Sequence, residues 1–258
     1  MIEFLPSREV VLRIFGWSLH WYGLLYIASF ALAIYILPHL QKWRDIKLSR
    51  QDWIEVVSWV AVGVLVGGRL GYVLLYEPIS FWIQLDKVFA IWNGGMASHG
   101  GFIGVAIAIW LYVKYALPQH LMLSDKSKWN IYMRILDVLI VPIALGLTLG
   151  RIGNVINQEL FATPLVQGLA ITKNIFIAGL CYWSLRTFRL RPGITTSIFL
   201  ISYGLLRFLI EYLRVQDHSL VWDLTLGQIY TVPIVIVGIG IGLYVKLNKE
   251  NAKQNQNQ

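Results

Sequence analysis

Charge is scarce in this chain. Only 14% of its 258 residues are Asp, Glu, Lys or Arg, where an average soluble domain has roughly 25%, and the shortage argues against a soluble enzyme. Cysteine is scarcer still: Cys181 stands alone, which excludes an intrachain disulfide and leaves the redox compartment undefined. Acidic residues number fourteen against twenty-two Lys and Arg, for a net charge of +8. A basic balance signals nucleic acid only where the cations form a stripe on a folded surface. Here they sit in short clusters between apolar runs, so no nucleic-acid partner is expected. The opening MIEFLPSREV is polar and acidic where a cleavable signal peptide needs positive charge, so none is expected. No internal repeat is evident. His218 with Asp217 and Asp223 lacks persuasive ligand spacing, and neither a metal nor another cofactor is expected.

What the chain has is apolar sequence, 57% of its residues, gathered in runs. A helix rising ~1.5 Å per residue needs roughly 20 residues to cross ~30 Å of hydrocarbon. Seven segments qualify as candidates, at about 17 to 38, 53 to 76, 97 to 116, 135 to 150, 167 to 186, 194 to 213 and 227 to 246. The fourth is short and carries Asp137 and Pro142; the fifth must absorb Lys173 and Asn174 or start after them. The fold class is therefore an all-α polytopic membrane protein with about seven transmembrane helices. Residues 1–247 form one helical domain, and 248–258 form a polar, solvated tail.

Orientation follows from the basic residues, because cytoplasmic loops hold the excess. Lys42, Arg44, Lys47 and Arg50 follow helix one, and Lys114, Lys126, Lys128 and Arg134 flank the loop after helix three. Arg186, Arg189 and Arg191 follow helix five, and Lys246, Lys249 and Lys253 end the chain. The other side carries only Arg8, Arg13, Lys87, Arg151, Lys173 and Arg214. The N-terminus is expected outside and the C-terminus in the cytoplasm.

Ionisable residues inside apolar spans are informative, because a charge at mid-bilayer costs ~2.5–3.5 kcal/mol even on lenient insertion scales. Helix six carries Tyr203, Arg207, Glu211 and Arg214 at spacings of four, four and three, one face of one helix. That stripe points into the bundle or a wet cavity, either as a structural Arg207–Glu211 pair or as part of a site. Helix two carries Arg69. Residues 92–104, WNGGMASHGGFIG, open helix three with glycines around His99. Glycines such as Gly100 and Gly101 let backbone approach a ligand, and helix N-termini favour anions, although glycines that pack helices are the plainer account. His is suited to proton exchange near neutral pH. GRIGNVINQELFATP, residues 150–164, adds Arg151, Asn154, Asn157 and Glu159, and Arg is the natural phosphate clamp. These segments converge near the outer interface, a depth that suits a phospholipid headgroup.

At these residues the sequence resembles the prolipoprotein diacylglyceryl transferase family. HWYGLLY at 20–26, GGRLGYVL at 67–74, GGMASHGGFIG at 94–104, GRIGNVINQE at 150–159 and YGLLRFLIEYLR at 203–214 are similar to family motifs in the same order. The resemblance implies a multi-pass bacterial inner-membrane enzyme with two partners, phosphatidylglycerol and the lipobox peptide of a prolipoprotein. It moves a diacylglyceryl group to the lipobox cysteine thiol and leaves glycerol 1-phosphate. Tyr26, His99, Arg151, Asn154, Glu159, Tyr203, Arg207 and Glu211 fall on positions that the family uses in binding or catalysis.

On that footing His99 is the expected general base or proton shuttle, and Arg151 and Arg207 hold phosphate. Asn154 and Tyr203 donate to headgroup oxygens, and Glu159 and Glu211 orient the arginines. Tyr26, Arg69, Gly100 and Gly101 complete the substrate-binding set. The chain departs from the family pattern at Val155 and Ala162. It has LFATPLVQGLAITKNIFIAGL where the family carries a longer outer head and a His-Pro-Ser-Gln-x-Tyr-Glu motif. Two other functions compete with the transferase reading. One is a divergent paralogue that binds phospholipid or lipoprotein without turnover, against which His99 and Arg151 are intact. The other is a small-solute transporter, which would need polar residues along a path to both faces.

Overall fold

The computed structural model of the chain describes residues 10–14, 17–76, 95–122, 127–157, 163–189, 191–213 and 224–256. A short antiparallel hairpin, β1 (Val10–Ile14) with β2 (Trp17–His20), leads into seven main helices among the described residues. These are α1 (Trp21–Leu40), α2 (Arg50–Tyr76), α3 (Ser98–Tyr115), α4 (Lys128–Ile156), α5 (Pro164–Thr187), α6 (Ile194–Glu211) and α7 (Leu226–Gln256). Each answers to one of the seven apolar segments. Six are long and apolar enough to cross a membrane among the described residues, whereas α3 is 18 residues long with polar ends at Ser98, His99 and Lys114. Ile103, Ile107 and Trp110 of α3, and Ile236, Val237, Leu243 and Leu247 of α7, are exposed. Apolar faces of that size are matched by lipid rather than water.

Helix starts differ from the hydropathy boundaries where polar caps decide them. Trp17–His20 pair with β1, so α1 begins at Trp21 rather than 17. Ser49 and Asp52 form a reciprocal capping pair at the start of α2, Asp52 N donating to Ser49 Oγ at 3.1 Å and Ser49 N to Asp52 Oδ2 at 2.7 Å. Ser127 Oγ accepts from Asn130 N at 3.2 Å, starting α4 seven residues before the expected 135. Thr163 caps α5 with Pro164 in the first turn. Lys173 therefore lies inside that helix. Thr225 and Gln228 cap α7 reciprocally. Its polar end continues helical to Gln256, as Lys, Glu, Ala and Gln favour, past the expected helix end at about 246.

The chain divides into two compact units. One comprises residues up to Arg44 and from Asp137 onward; the other comprises Asp45–Leu136. In the second unit α2 and α3 meet along a seam of glycines: a Cβ on Gly63 would lie 2.6 Å from Gly104 O, and one on Gly71 2.7 Å from Gly100 Cα. Small residues four apart on both helices permit this backbone approach.

In the first unit, Arg44 and Asp137 form a fully buried ion pair, Nε to Oδ2 at 2.7 Å. The Asp137 carboxylate also accepts from Gly193 N and Thr196 N, each at 2.8 Å, and from Thr196 Oγ1 at 2.7 Å, and so caps α6. Arg44 donates to Leu185 O and Phe188 O at the end of α5, and to Thr195 Oγ1 at 2.6 Å. One ion pair thereby fixes the ends of two helices. Along α6 and α7, Ser197 Oγ donates to Gly238 O at 2.7 Å, and a Cβ on Gly204 would meet Val235 Cγ2 at 2.5 Å.

Candidate functional site

In the second unit the polar end of α2 is tied to the segment that opens α3. Arg69 is buried and its Nη1 donates to Gly95 O at 3.2 Å, with the guanidinium 5.7 Å from the Tyr72 ring centroid. Ala97 N donates to Gly68 O at 2.9 Å. Gly95 has φ +76°, and a Cβ there would lie 2.5 Å from Tyr72 Cε1; only glycine fits. Arg69 thus holds the turn that delivers His99, which is buried in the first turn of α3. Ala97 gives α3 no side-chain cap. The adjacent glycines differ. Gly100 is packed against the Gly67 and Gly71 backbone, whereas a Cβ on Gly101 would meet nothing within 4 Å.

In the first unit four helices contribute. Arg151 and Asn154 lie one turn apart near the end of α4. Between them, Gly153 lets α1 approach: a Cβ there would meet Tyr22 Cδ2 at 3.0 Å, and the Tyr22 ring lies 5.0 Å from that of Tyr26. From α6, Tyr203 is buried and stacks on Phe199 at 5.5 Å. Lys173 of α5 is buried, with Nζ 4.1 Å from the Tyr203 ring centroid. The stripe residues Tyr203 and Glu211 are buried while Leu205 and Leu209 of the same helix are exposed, so the stripe faces protein. Glu211 sits at the start of α7, where a Cβ on Gly227 would lie 3.1 Å from its Oε1, a favourable place for a carboxylate.

The structure therefore places Arg151, Lys173, Tyr203 and Arg207 in one unit, and Arg69 with the His99 segment in the other. Glu159 and Arg214 lie outside the described residues, as do His218, Asp217 and Asp223. In the sequence Lys173 counts as an outer-side cation and as a charge that helix five must absorb or start after, and not as a site residue. The signal that places it inside the helix is Thr163–Pro164, a cap followed by proline.

The family model for prolipoprotein diacylglyceryl transferase matches residues 9–244. The chain belongs to the prolipoprotein diacylglyceryl transferase family. It is 35% identical to the phosphatidylglycerol–prolipoprotein diacylglyceryl transferase of Zymomonas mobilis, over 89% of this chain and 86% of that protein. The protein of the same name from Pseudomonas paraeruginosa is 32% identical over 93% of this chain and 94% of its own length. That from Acidiphilium cryptum is 30% identical over 90% of each. The match spans the segments that carry His99, Arg151 and Arg207. The family is one of transferases, and the helices make this member a multi-pass membrane protein.

Proposed function

We propose that this protein transfers the diacylglyceryl group of phosphatidylglycerol to the lipobox cysteine thiol of a prolipoprotein in the bacterial inner membrane, with its N-terminus outside and its C-terminus cytoplasmic. The thiolate forms a C–S bond to the diacylglyceryl carbon, and the C–O bond from that carbon to the phosphate breaks. The electron pair leaves on glycerol 1-phosphate. A thiol needs a base to become the nucleophile, and the departing phosphate needs positive charge in a water-poor site.

His99 takes the thiol proton. Arg151 and Arg207 hold the phosphate with their planar forks of donors, and Tyr203 and Asn154 donate to headgroup oxygens. Glu211, held at the first turn of α7, positions Arg207 one turn before it; Glu159 keeps its assignment from the resemblance alone. Arg69 acts on the turn before His99 as well as on substrate, and Tyr26, Gly100 and Gly101 complete the binding set.

The observation that carries this reading is the buried polar face of α6, with Lys173 Nζ 4.1 Å from the Tyr203 ring, in a chain of this family. Cations in apolar helices need an anion or a task. The test is release of glycerol phosphate from phosphatidylglycerol by purified protein given a lipobox peptide. Release that needs the peptide cysteine supports the assignment; equal release with a Cys-to-Ser peptide overturns it.

A further inference from the structure

Arg44 Nη1 donates to Trp43 O at 3.2 Å as well as to Leu185 O and Phe188 O, so one guanidinium seats the turn Gln41–Trp43, which follows α1, against the end of α5. Three cations of the same unit meet on the Trp43 ring there. Arg189 Cζ lies 4.1 Å from its centroid, Lys42 Nζ 5.0 Å and Arg186 Cζ 5.3 Å. All three side chains are exposed, and among the described residues none makes a side-chain hydrogen bond or an ion pair. Cations at a helix C-terminus commonly serve its free carbonyls, but at the end of α5 Arg44 already takes Leu185 O and Phe188 O. A ring face attracts cations yet carries no net charge, so Trp43 gathers like charges without neutralising them.

The surface beside these cations is apolar. Tyr182 and Trp183, one turn before Arg186 on α5, are exposed, and Ile175 and Phe176, seven residues earlier, continue the same exposed face toward the middle of the helix. Cations over a lipid-facing apolar stripe match both parts of an anionic phospholipid, whereas a soluble anion has no use for the stripe. We propose that Lys42, Arg186 and Arg189 around Trp43 form a binding site for the phosphate of an anionic phospholipid, with its acyl chains along Trp183 and Phe176. The two arginine forks suit phosphate oxygens, and basic pockets between membrane helices hold such headgroups. In the proposed orientation the lipid belongs to the cytoplasmic leaflet. The site is separate from the one at Tyr203: Arg186 follows Lys173 by thirteen residues of α5, about 20 Å along the axis, too far for one phosphate to touch both. The leaflet rests on the proposed orientation; the binding needs neither that nor turnover.

The test is native mass spectrometry of the detergent-purified protein, titrated with phosphatidylglycerol and separately with phosphatidylcholine, whose headgroup has no net charge. Wild type is compared with the triple variant Lys42→Gln/Arg186→Gln/Arg189→Gln and with Arg186→Lys/Arg189→Lys. Each cation near a membrane surface adds about a fivefold preference for anionic lipid, so the triple variant should lose one tightly bound phosphatidylglycerol, its dissociation constant raised about a hundredfold. The double lysine variant keeps the charges and should keep most of the affinity. Phosphatidylcholine should bind all three proteins alike. The substituted side chains are exposed, so the triple variant should melt with wild type and transfer at the wild-type rate in saturating phosphatidylglycerol. Superimposable phosphatidylglycerol titrations, or equal loss of both lipids, would overturn the proposal. Displacement of the lipid by equimolar inorganic phosphate would also overturn it, and would leave a soluble-anion site. If wild type turns nothing over, the transferase reading falls, and the titrations still decide the lipid site.

Discussion

Removing Asp137 should unfold the protein before it affects chemistry. The carboxylate accepts hydrogen bonds from Arg44 Nε, Gly193 N, Thr196 N and Thr196 Oγ1, all between 2.7 and 2.8 Å. Asp137→Ala takes all of them away and leaves the Arg44 guanidinium, which has no exposed surface, as an uncompensated buried charge. Truncating one partner of such a pair costs about 3–5 kcal/mol. At roughly 2–4 °C per kcal/mol for a chain of this size, the melting temperature should fall by roughly 6–20 °C. The measurement is thermal unfolding in detergent, followed by the fluorescence of the eleven Trp residues. The double variant Arg44→Met/Asp137→Leu removes both charges together and should lose less than Asp137→Ala alone, because apolar replacement of a whole buried pair is often neutral. Transfer per folded molecule should stay near wild type in the double variant. An Asp137→Ala loss below ~1 kcal/mol, or a double variant as damaged as the sum of the single ones, would refute the latch between α5 and α6.

Arg207→Lys should lower transfer by about ten- to a hundredfold with little loss of folded protein, since a point charge does not replace a bidentate fork; near-normal turnover would remove Arg207 from the phosphate clamp. Gly104→Ala should destabilise by about 1–3 kcal/mol, as its Cβ would lie 2.9 Å from Gly67 Cα across the seam. Gly101→Ala, with open space around the new methyl group, should leave stability unchanged or raise it, and thermal unfolding of the pair separates packing from binding.

The seven helices were legible because bilayer-length apolar runs carry their own signal, and each run has its helix. Their ends were less so. Hydropathy does not register Ser127 or Thr163, yet one hydroxyl moves the start of α4 to Lys128 and the other puts Lys173 inside α5. Asp137 stands out in the sequence as a charge in the fourth apolar segment; its partner is Arg44, 93 residues away, and a single sequence carries no such distance. Spacing did place Tyr203 and Glu211 on one buried face. It could not say that Gly100 is committed to the α2–α3 seam while Gly101 is open, nor that Arg69 holds the backbone at Gly95. The contact of Lys173 with the Tyr203 ring depends on the rotation of α5 against α6, which apolar composition on most sides of a helix leaves undefined.

The most direct measurement is mass spectrometry of a lipobox peptide incubated with phosphatidylglycerol and the purified protein, beside the folded His99→Gln and Arg151→Ala variants. The account predicts a peptide heavier by one diacylglyceryl group on its cysteine with wild type and none with either variant. Folded wild-type protein that leaves the peptide unmodified, or a His99→Gln variant that modifies it at the full rate, would contradict it.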